Sequence, residues 1–198
     1  MLVLLDNGHG GLINGNYQTP GKRSPIWADG SQLFEGEFNR AIVNGIIEEL
    51  TRLNIRYVNI APEYEDISLA ERVSRANAYD GEKCFFVSIH SNAGGGTGSE
   101  VYTTDGKTQS DPIATLFAQT FAKVFPECKF RADFSDGDPD KESNFYVIKN
   151  TKMPAILTEN FFMDNEKECK ELLMTRLGRQ RIIDYHVKAI VAVGQLLF

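Results

Sequence analysis

The sequence predicts an α/β fold: a single-domain three-layer sandwich in which a twisted, mainly parallel sheet carries helices on both faces. Short apolar runs of strand length alternate along the chain with segments whose apolar residues recur at the i, i+3, i+4 spacing of a helix. The chain has 198 residues, of which 42% are hydrophobic and 24% charged. This length and composition are typical of one globular domain with a substantial core, so we treat residues 1–198 as one domain.

The first half of the chain alternates strands with helices. Residues 1–6 form an apolar run typical of a buried strand, and a glycine turn follows. Residues 12–34 are rich in Gly, Pro, Asn and Ser, which predicts a long loop, and loops of this kind are often functional. The remaining predicted elements are a helix over 37–53, strands over 54–60 and 84–90, and, between these strands, a helix that Ser68 caps and that extends to about Ala78.

The second half adds further strands and helices. A glycine-rich break over 94–98 precedes a strand over 99–104. Pro112 lies at the first position of a helix that starts at Asp111, where its missing N–H is not needed. The remaining predictions are a polar, acidic and mobile loop over 131–143, strands over FYVIK (145–149) and PAILTEN (154–160), and helices over about 165–176 and 178–196.

Charge and hydropathy exclude several classes of protein. The 21 basic and 27 acidic residues give a net charge of −6, so no global field attracts nucleic acid or an anionic lipid surface. No apolar stretch reaches the roughly 20 residues that a membrane-spanning helix needs. Asp6 interrupts the apolar N-terminus and no basic region precedes it, so we expect no secretory signal in the chain. The three cysteines, an odd number at wide spacing, favour reduced thiols over disulfides or a zinc ribbon.

Two of the three histidines lie where predicted strands end. His9 follows the strand over 1–6 and His90 ends the strand over 84–90, while the PAILTEN strand delivers Glu159 in the same way. Because ligand-binding and catalytic groups gather beyond the carboxyl ends of parallel strands, we expect these side chains to meet at one edge of the sheet. Two histidines and a carboxylate are typical ligands of zinc centres that hydrolyse amides. The residues alone leave open which carboxylate completes the centre; the candidates are Asp6, Asp29, Glu35 and Glu37.

Four segments in order along the chain carry a family resemblance: DNGHGG (6–11), FEGEFNRAIV (34–43), FVSIHSNAGGGTGSEVY (86–102) and MPAILTENFFMDN (153–165). Together with SLAERVSRAN (68–77), which contains an Arg and a later Asn, they resemble the zinc-dependent N-acetylmuramoyl-L-alanine amidases of the Amidase_3 family. These proteins are peptidoglycan hydrolases. The matching segments run in the family's order from residue 3 to about 196, so the resemblance covers the whole chain. It implies a twisted, mainly parallel sheet with surrounding helices, in agreement with the fold predicted above.

Carried over position by position, the resemblance implies one zinc ion bound by His9, Glu35 and His90, with Glu159 as the catalytic glutamate. The choice of Glu35 rests on the family's E-x-x-x-N pattern, which Glu35 and Asn39 meet. The resemblance further implies a zinc-activated water that attacks the amide between N-acetylmuramic acid and L-alanine of the stem peptide, with Glu159 moving the proton. The residues by themselves support only metal-assisted amide hydrolysis.

Two other functions remain open from the sequence. A zinc carboxypeptidase acting within the stem peptide would need an arginine that holds a terminal carboxylate, and the sequence assigns none. A non-catalytic cell-wall-binding module would keep the metal site, but it has no need of a base such as Glu159. The expected partner is peptidoglycan, bound by a monomer that acts on the cell wall, in the periplasm or outside the cell. Without a signal in the chain, we expect either a removed leader or a lysin of a phage or mobile element.

Further expectations concern the surroundings of the site. The glycines after His9 are expected to keep the open face of the metal clear, and Asp6 to orient an imidazole. His186, on the last predicted helix, is expected to be a surface or half-buried histidine.

The two long loops also carry expectations. The 131–143 loop contains no long helical insertion, so we expect an open metal site. The loop over 12–34 either lines a sugar–peptide groove with its aromatic and basic residues or packs as a loop held by Trp27. The residues in question are Tyr17, Arg23, Trp27 and Phe34.

Overall fold

The computed structural model describes residues 1–197 and contains a six-stranded sheet with helices packed against both faces. A separate two-stranded ribbon, β2–β3, lies within the loop that follows the first strand. The strands are β1 (Leu2–Asn7), β2 (Leu12–Ile13), β3 (Asn16–Tyr17), β4 (Arg56–Asn59), β5 (Cys84–Asn92), β6 (Glu100–Thr103), β7 (Lys141–Glu142) and β8 (Ala155–Phe162).

The sheet is mainly parallel, in the strand order β4-β1-β5-β8-β6-β7. The four strands β4, β1, β5 and β8 run parallel to one another, whereas β6 pairs antiparallel with β8 and β7 pairs parallel with β6. The predicted α/β class and mainly parallel sheet are therefore confirmed. Because the parallel strands share one direction, β1, β5 and β8 end side by side at the same edge of the sheet.

The helices start and end close to the predicted positions. Ser68 caps its helix as expected, its hydroxyl accepting the Glu71 N–H at 3.2 Å. Asn165 caps another helix through the Glu168 N–H and that helix continues as a π-helix over Cys169–Leu173. The α-helices are α1 (Glu35–Arg52), α2 (Leu69–Asn77), α3 (Asp111–Val124), α4 (Tyr146–Lys149), α5 (Glu166–Glu168) and α6 (Arg176–Leu196).

Two cores lie on opposite faces of the sheet, as the alternation of side chains along a strand requires. Val3 and Leu5 of β1 face the core formed with α1, α3 and α6. Leu2 and Leu4 face the smaller core, to which α2 and α4 contribute. All six residues of β1 are buried, as expected for a central strand of a parallel sheet covered on both faces.

The segment FYVIK forms α4 rather than the predicted strand. Its apolar run is too short for periodicity to distinguish a strand from a buried helical turn. Both edges of β8 are already paired, with β5 and β6. The segment therefore packs over the face of the sheet, where Val147 and Ile148 are buried in the smaller core.

Three other features of the described residues bear on the sequence predictions. Cys84, Cys128 and Cys169 are free thiols, as predicted. The predicted loop over 131–143 contains the short edge strand β7. No helix within residues 1–197 combines the length and the apolar character needed to cross a membrane.

Candidate metal centre

The carboxyl ends of β1, β5 and β8 bring three of the predicted site residues to one edge of the sheet. His9 follows β1, and His90 and Glu159 are directly paired in the register of β5 and β8. Both side chains lie on the face that carries α2 and α4, because each continues the alternation of buried residues facing the smaller core. The expectation that strand ends gather these groups is met by the geometry.

Glu35 joins the two histidines from the first position of α1. Its carboxylate Oε1 lies 3.0 Å from His90 Nδ1 and 3.3 Å from His9 Nε2, and only 2% of the residue is exposed. The candidate ligand atoms of His9, Glu35 and His90 all lie within 4.8 Å of one another. No fourth His, Cys, Asp or Glu joins this cluster in the part of the chain that the structure describes.

The other candidate carboxylates have different partners. Asp6 is paired with Arg72, and Asp29 is paired with Lys170 at the surface. Glu37 accepts the backbone N–H of Leu12 at 2.6 Å. Glu35 is therefore the candidate that geometry brings to the histidines, a choice that the residue types alone left open.

The donor set of the cluster fits a zinc ion. Two ligand atoms about 2 Å from a tetrahedral zinc lie about 3.4 Å apart, close to the two distances between Glu35 Oε1 and the imidazoles. His9 Nε2 and Glu35 Oε2 are buried and have no hydrogen-bond partner. Buried polar atoms without partners are costly, and a cation at this point would satisfy them.

The histidines hold Glu35 in its charged form. Burial alone would raise the pKa of the carboxyl, but the two imidazoles beside it outweigh burial and keep the pKa of Glu35 well below its usual range. A carboxylate that is ionised at neutral pH is what a metal ligand requires.

Glu159 stands beside the cluster without belonging to it. It lines a cavity of about 350 Å³ together with His9, Glu35 and His90. Its Oε2 is buried and makes no hydrogen bond. Burial raises the pKa of Glu159 to about 8, and the carboxylates of Glu35 and Glu100 add to the rise, while His90 opposes it. An unpartnered carboxyl oxygen with a raised pKa in a cleft is the arrangement of a proton-transfer group.

The turn that presents His9 is strained and well supported. His9 adopts φ of 69°, a left-handed conformation that residues other than glycine rarely take and that clusters at functional sites. Its carbonyl accepts a bond from Arg72 at 3.4 Å, and Asn39 donates to the carbonyl of Gly8 at 2.9 Å. The second residue of the E-x-x-x-N pattern thus fixes the backbone before His9.

The glycines of DNGHGG serve close packing around the turn. A Cβ on Gly8 would lie 2.0 Å from His90 Cε1, so this glycine makes room for the imidazole. A Cβ on Gly10 or Gly11 would collide with the backbone of Asp66 or the ring of Tyr64. Close contacts with neighbouring segments therefore explain Gly10 and Gly11. The expectation that these glycines keep the open face of the metal position clear is not needed to explain them.

The cavity is open, and its rim includes exposed apolar side chains. Leu69, Phe145 and Tyr146 line it and are each more than a third exposed. From the loop over 12–34, only Lys22 lines this cavity.

Three of the four residues named from that loop pack elsewhere. Tyr17 and Phe34 pack ring against ring, with centroids 4.8 Å apart. Trp27 packs partly against the larger core. Of the two alternatives, the packed loop describes these residues better than the groove lining.

His186 is fully buried, which corrects the prediction of a surface or half-buried histidine. It is 0% exposed, donates from Nδ1 to the carbonyl of Ile182 at 2.8 Å and accepts at Nε2 from the Thr158 hydroxyl at 3.0 Å. Burial lowers the pKa of His186 to about 4, so the ring is neutral. The partner hydroxyl lies on another element, so the local helical pattern could not reveal the contact.

The sequence did not indicate two further residues near the site. Ser88 Oγ lies 3.2 Å from His90 Nε2, and Asn160 donates to the carbonyl of His90 at 2.9 Å. The two-residue period of a strand could have indicated Ser88. Ser88 lies two residues before His90, so both side chains are on the same face of the sheet.

Comparison with known proteins identifies the family of the chain. A family model described as N-acetylmuramoyl-L-alanine amidase matches residues 3–192. The chain is 30% identical over 173 residues to the N-acetylmuramoyl-L-alanine amidase CwlM of Bacillus licheniformis, covering 86% of this chain and 60% of that protein. It is also 30% identical over 169 residues to an endolysin of Bacillus phage SPP1, covering 84% of this chain and 56% of the endolysin. The chain thus spans about 60% or less of the length of these two relatives.

A solved structure supports the fold. The N-acetylmuramoyl-L-alanine amidase from Clostridium difficile 630 superposes with a TM-score of 0.82 at 24% identity, over 100% of this chain and 98% of that one. With a family model that matches nearly its whole length, the chain belongs to the Amidase_3 family of N-acetylmuramoyl-L-alanine amidases.

Proposed function

We propose that this chain is a catalytic domain, residues 1–198, that hydrolyses the amide bond between N-acetylmuramic acid and the L-alanine of the peptidoglycan stem peptide with one zinc ion. The observation that carries the proposal is the meeting of His9, Glu35 and His90 in one cluster, with Glu159 paired to His90 across the sheet. Membership of the Amidase_3 family supports the choice of substrate.

The proposed ligands are His9, Glu35 and His90, and the proposed catalytic residue is Glu159. A bound zinc ion lowers the pKa of a water molecule and polarises the scissile carbonyl. The pKa of Glu159, which burial raises to about 8, would be lowered by a dication at the cluster, so that its carboxylate is available as a base.

Glu159 then moves one proton in two steps. Its unpartnered Oε2 accepts the proton as the water oxygen attacks the lactyl carbonyl carbon. The same oxygen returns the proton to the alanine nitrogen as the carbon–nitrogen bond breaks. The products are a glycan with a free lactyl carboxylate and a stem peptide with a free N-terminal amine.

The open cavity accommodates a polymeric substrate. Its rim of Leu69, Phe145 and Tyr146 offers apolar contacts at the surface, next to the cluster. Lys22 supplies a positive charge at the same cavity, opposite in sign to the carboxylates of a stem peptide. We therefore assign peptidoglycan as the partner of this surface, bound by a monomer acting on the cell wall.

The test is mass spectrometry of fragments released from purified peptidoglycan by the zinc-loaded chain. The proposal requires free stem peptides with an N-terminal alanine. Release of single C-terminal amino acids would identify a carboxypeptidase instead, and binding without release would identify a wall-binding module. Either result overturns the proposal.

A metal control accompanies this assay. Removal of the metal with a chelator should abolish release, and one equivalent of Zn²⁺ should restore it. Elemental analysis of the purified protein checks the stoichiometry of one ion per chain.

A further inference from the structure

A chain of buried hydrogen bonds runs from Arg72 to the imidazole of His90. Arg72 Nη1 donates to Asp6 Oδ1 at 2.5 Å, and the hydroxyl of Ser88 donates to Asp6 Oδ2 at 2.6 Å. Ser88 Oγ lies 3.2 Å from His90 Nε2. Asp6, Arg72 and Ser88 are at most 2% exposed, so water does not compete for these bonds.

The partners fix the direction of each proton in this chain. Asp6 accepts on both oxygens, from Arg72 and from Ser88, as an ionised carboxylate does. Because the Ser88 proton points to Asp6, Ser88 Oγ is left to accept from His90 Nε2–H. A neutral imidazole with its proton on Nε2 has a free lone pair on Nδ1.

That lone pair points at the metal position. His90 Nδ1 lies 3.0 Å from the carboxylate Oε1 of Glu35, which is also an acceptor. Two acceptors at this distance repel each other unless a cation lies between them. The hydrogen-bond chain therefore prepares Nδ1, and not Nε2, for a metal ion.

The sheet itself assembles the chain. Asp6 and Ser88 are register partners in the parallel pairing of β1 with β5. Ser88 and His90 are two residues apart on β5 and share one face. The three side chains are thus aligned by backbone geometry, with α2 supplying Arg72 to neutralise the buried carboxylate.

We propose that Asp6 and Ser88 are positioning residues that hold His90 with its proton on Nε2 and its Nδ1 turned to the metal. Asp6 acts through Ser88 and does not touch either imidazole directly. This refines the expectation that Asp6 orients a histidine. The inference rests on the proposed metal centre and extends it beyond the ligands to the groups that set their tautomer.

The first experiment measures the zinc dissociation constant by competition with a chromophoric chelator. Ser88→Ala is expected to weaken zinc binding by about 10- to 100-fold, as loss of such supporting contacts does. Ser91→Ala is the matched control, because Ser91 is also a buried serine of β5 but its hydroxyl donates to the carbonyl of Phe161. This control should keep the wild-type dissociation constant. Equal losses in both variants, or no loss in Ser88→Ala, would overturn the inference.

The role of Asp6 is tested in the Ser88→Ala background. Adding Asp6→Asn should cause no further loss of zinc affinity, because the connection to His90 is already cut. Independent, additive losses would show that Asp6 does not act through Ser88.

The second experiment reads the tautomer of the zinc-loaded wild-type chain, whose three histidines give few resonances. Nitrogen-15 NMR should show His90 protonated at Nε2 and metal-bound at Nδ1; the reverse assignment would refute the inference without any variant. Glu35→Gln separates the two proposals. If it binds zinc as wild type does, the metal centre itself is wrong; if it loses zinc while Ser88→Ala does not, only the positioning role fails.

Discussion

His90 and Glu159 face each other as register partners in the parallel pairing of β5 and β8. Two adjacent strands of the central sheet, rather than mobile loops, therefore set the separation between a candidate metal ligand and a candidate base. A shift of β8 by one residue would turn Glu159 to the other face of the sheet. That face is occupied by the buried pair of Thr158 and His186, so the packing of the core opposes such a shift.

Replacing Glu159 with Gln is expected to abolish most hydrolysis while leaving the metal in place. The substitution keeps the size of the side chain but removes its capacity to accept a proton. General-base catalysis contributes about 10²- to 10⁴-fold, so kcat should fall by that factor. Release of stem peptides measures the rate, and elemental analysis measures zinc. Turnover close to that of the wild type would contradict the assignment of Glu159.

Replacing Glu35 with Gln is expected to weaken zinc binding by more than the roughly 10- to 100-fold that loss of a supporting contact causes. The reason is that Glu35 brings the only carboxylate of the described metal cluster. Glu37→Gln is the matched control, because Glu37 lies one half-turn away on α1 and bonds the Leu12 N–H instead. Zinc titration followed by chelator competition compares the two. Similar losses in both variants would argue against Glu35 as the specific ligand.

The sequence could predict the fold and most residues of the candidate site because the relevant signals are local. The strands of the central sheet are short apolar runs, and His9, His90 and Glu159 follow or end such runs. Glu35 could not be separated from Glu37 by position, since both lie in the first turn of a helix. The family resemblance, and then the contacts of Glu35 with both histidines and of Glu37 with the Leu12 N–H, distinguish them.

What the sequence could not predict depends on contacts between distant segments. His186 is buried because Thr158 on β8 meets it across 28 positions of the chain. The sequence does not distinguish Ser88 from other serines in strands, because its position beside Asp6 depends on the pairing of β5 with β1. The FYVIK segment became a helix because the neighbouring strand positions were already taken.

Replacing Arg72 with Leu is expected to destabilise the fold by about 3–5 kcal/mol, because it leaves the buried carboxylate of Asp6 without a counter-charge. Urea unfolding of the zinc-free protein measures the loss. Arg56→Leu is the control, since Arg56 and Glu82 form an exposed pair, and such pairs contribute about 0–1 kcal/mol. If Arg72→Leu and Arg56→Leu lower the free energy of unfolding by similar amounts, the buried pair contributes no more to stability than the exposed pair does.

Because His186 is buried, we expect the free energy of unfolding to fall as the pH is lowered. The pKa of His186 is about 4 in the folded chain against 6.5 for an unperturbed histidine. Below pH 6.5 the unfolded chain therefore binds a proton that the folded chain does not bind until about pH 4. The free energy of unfolding should fall by about 2 kcal/mol between pH 7 and pH 5 from this group alone.

His186→Gln isolates this contribution, because glutamine does not titrate and other ionisable groups titrate alike in both proteins. We expect the variant to have a lower free energy of unfolding than the wild type at pH 7, because the hydrogen bonds to Thr158 and Ile182 change in geometry. The quantity to compare is therefore the change with pH, obtained from urea unfolding in one buffer series. The variant should lose about 2 kcal/mol less than the wild type between pH 7 and pH 5. Parallel curves for the two proteins would show that His186 already accepts a proton in the folded state, against the burial that holds its pKa low.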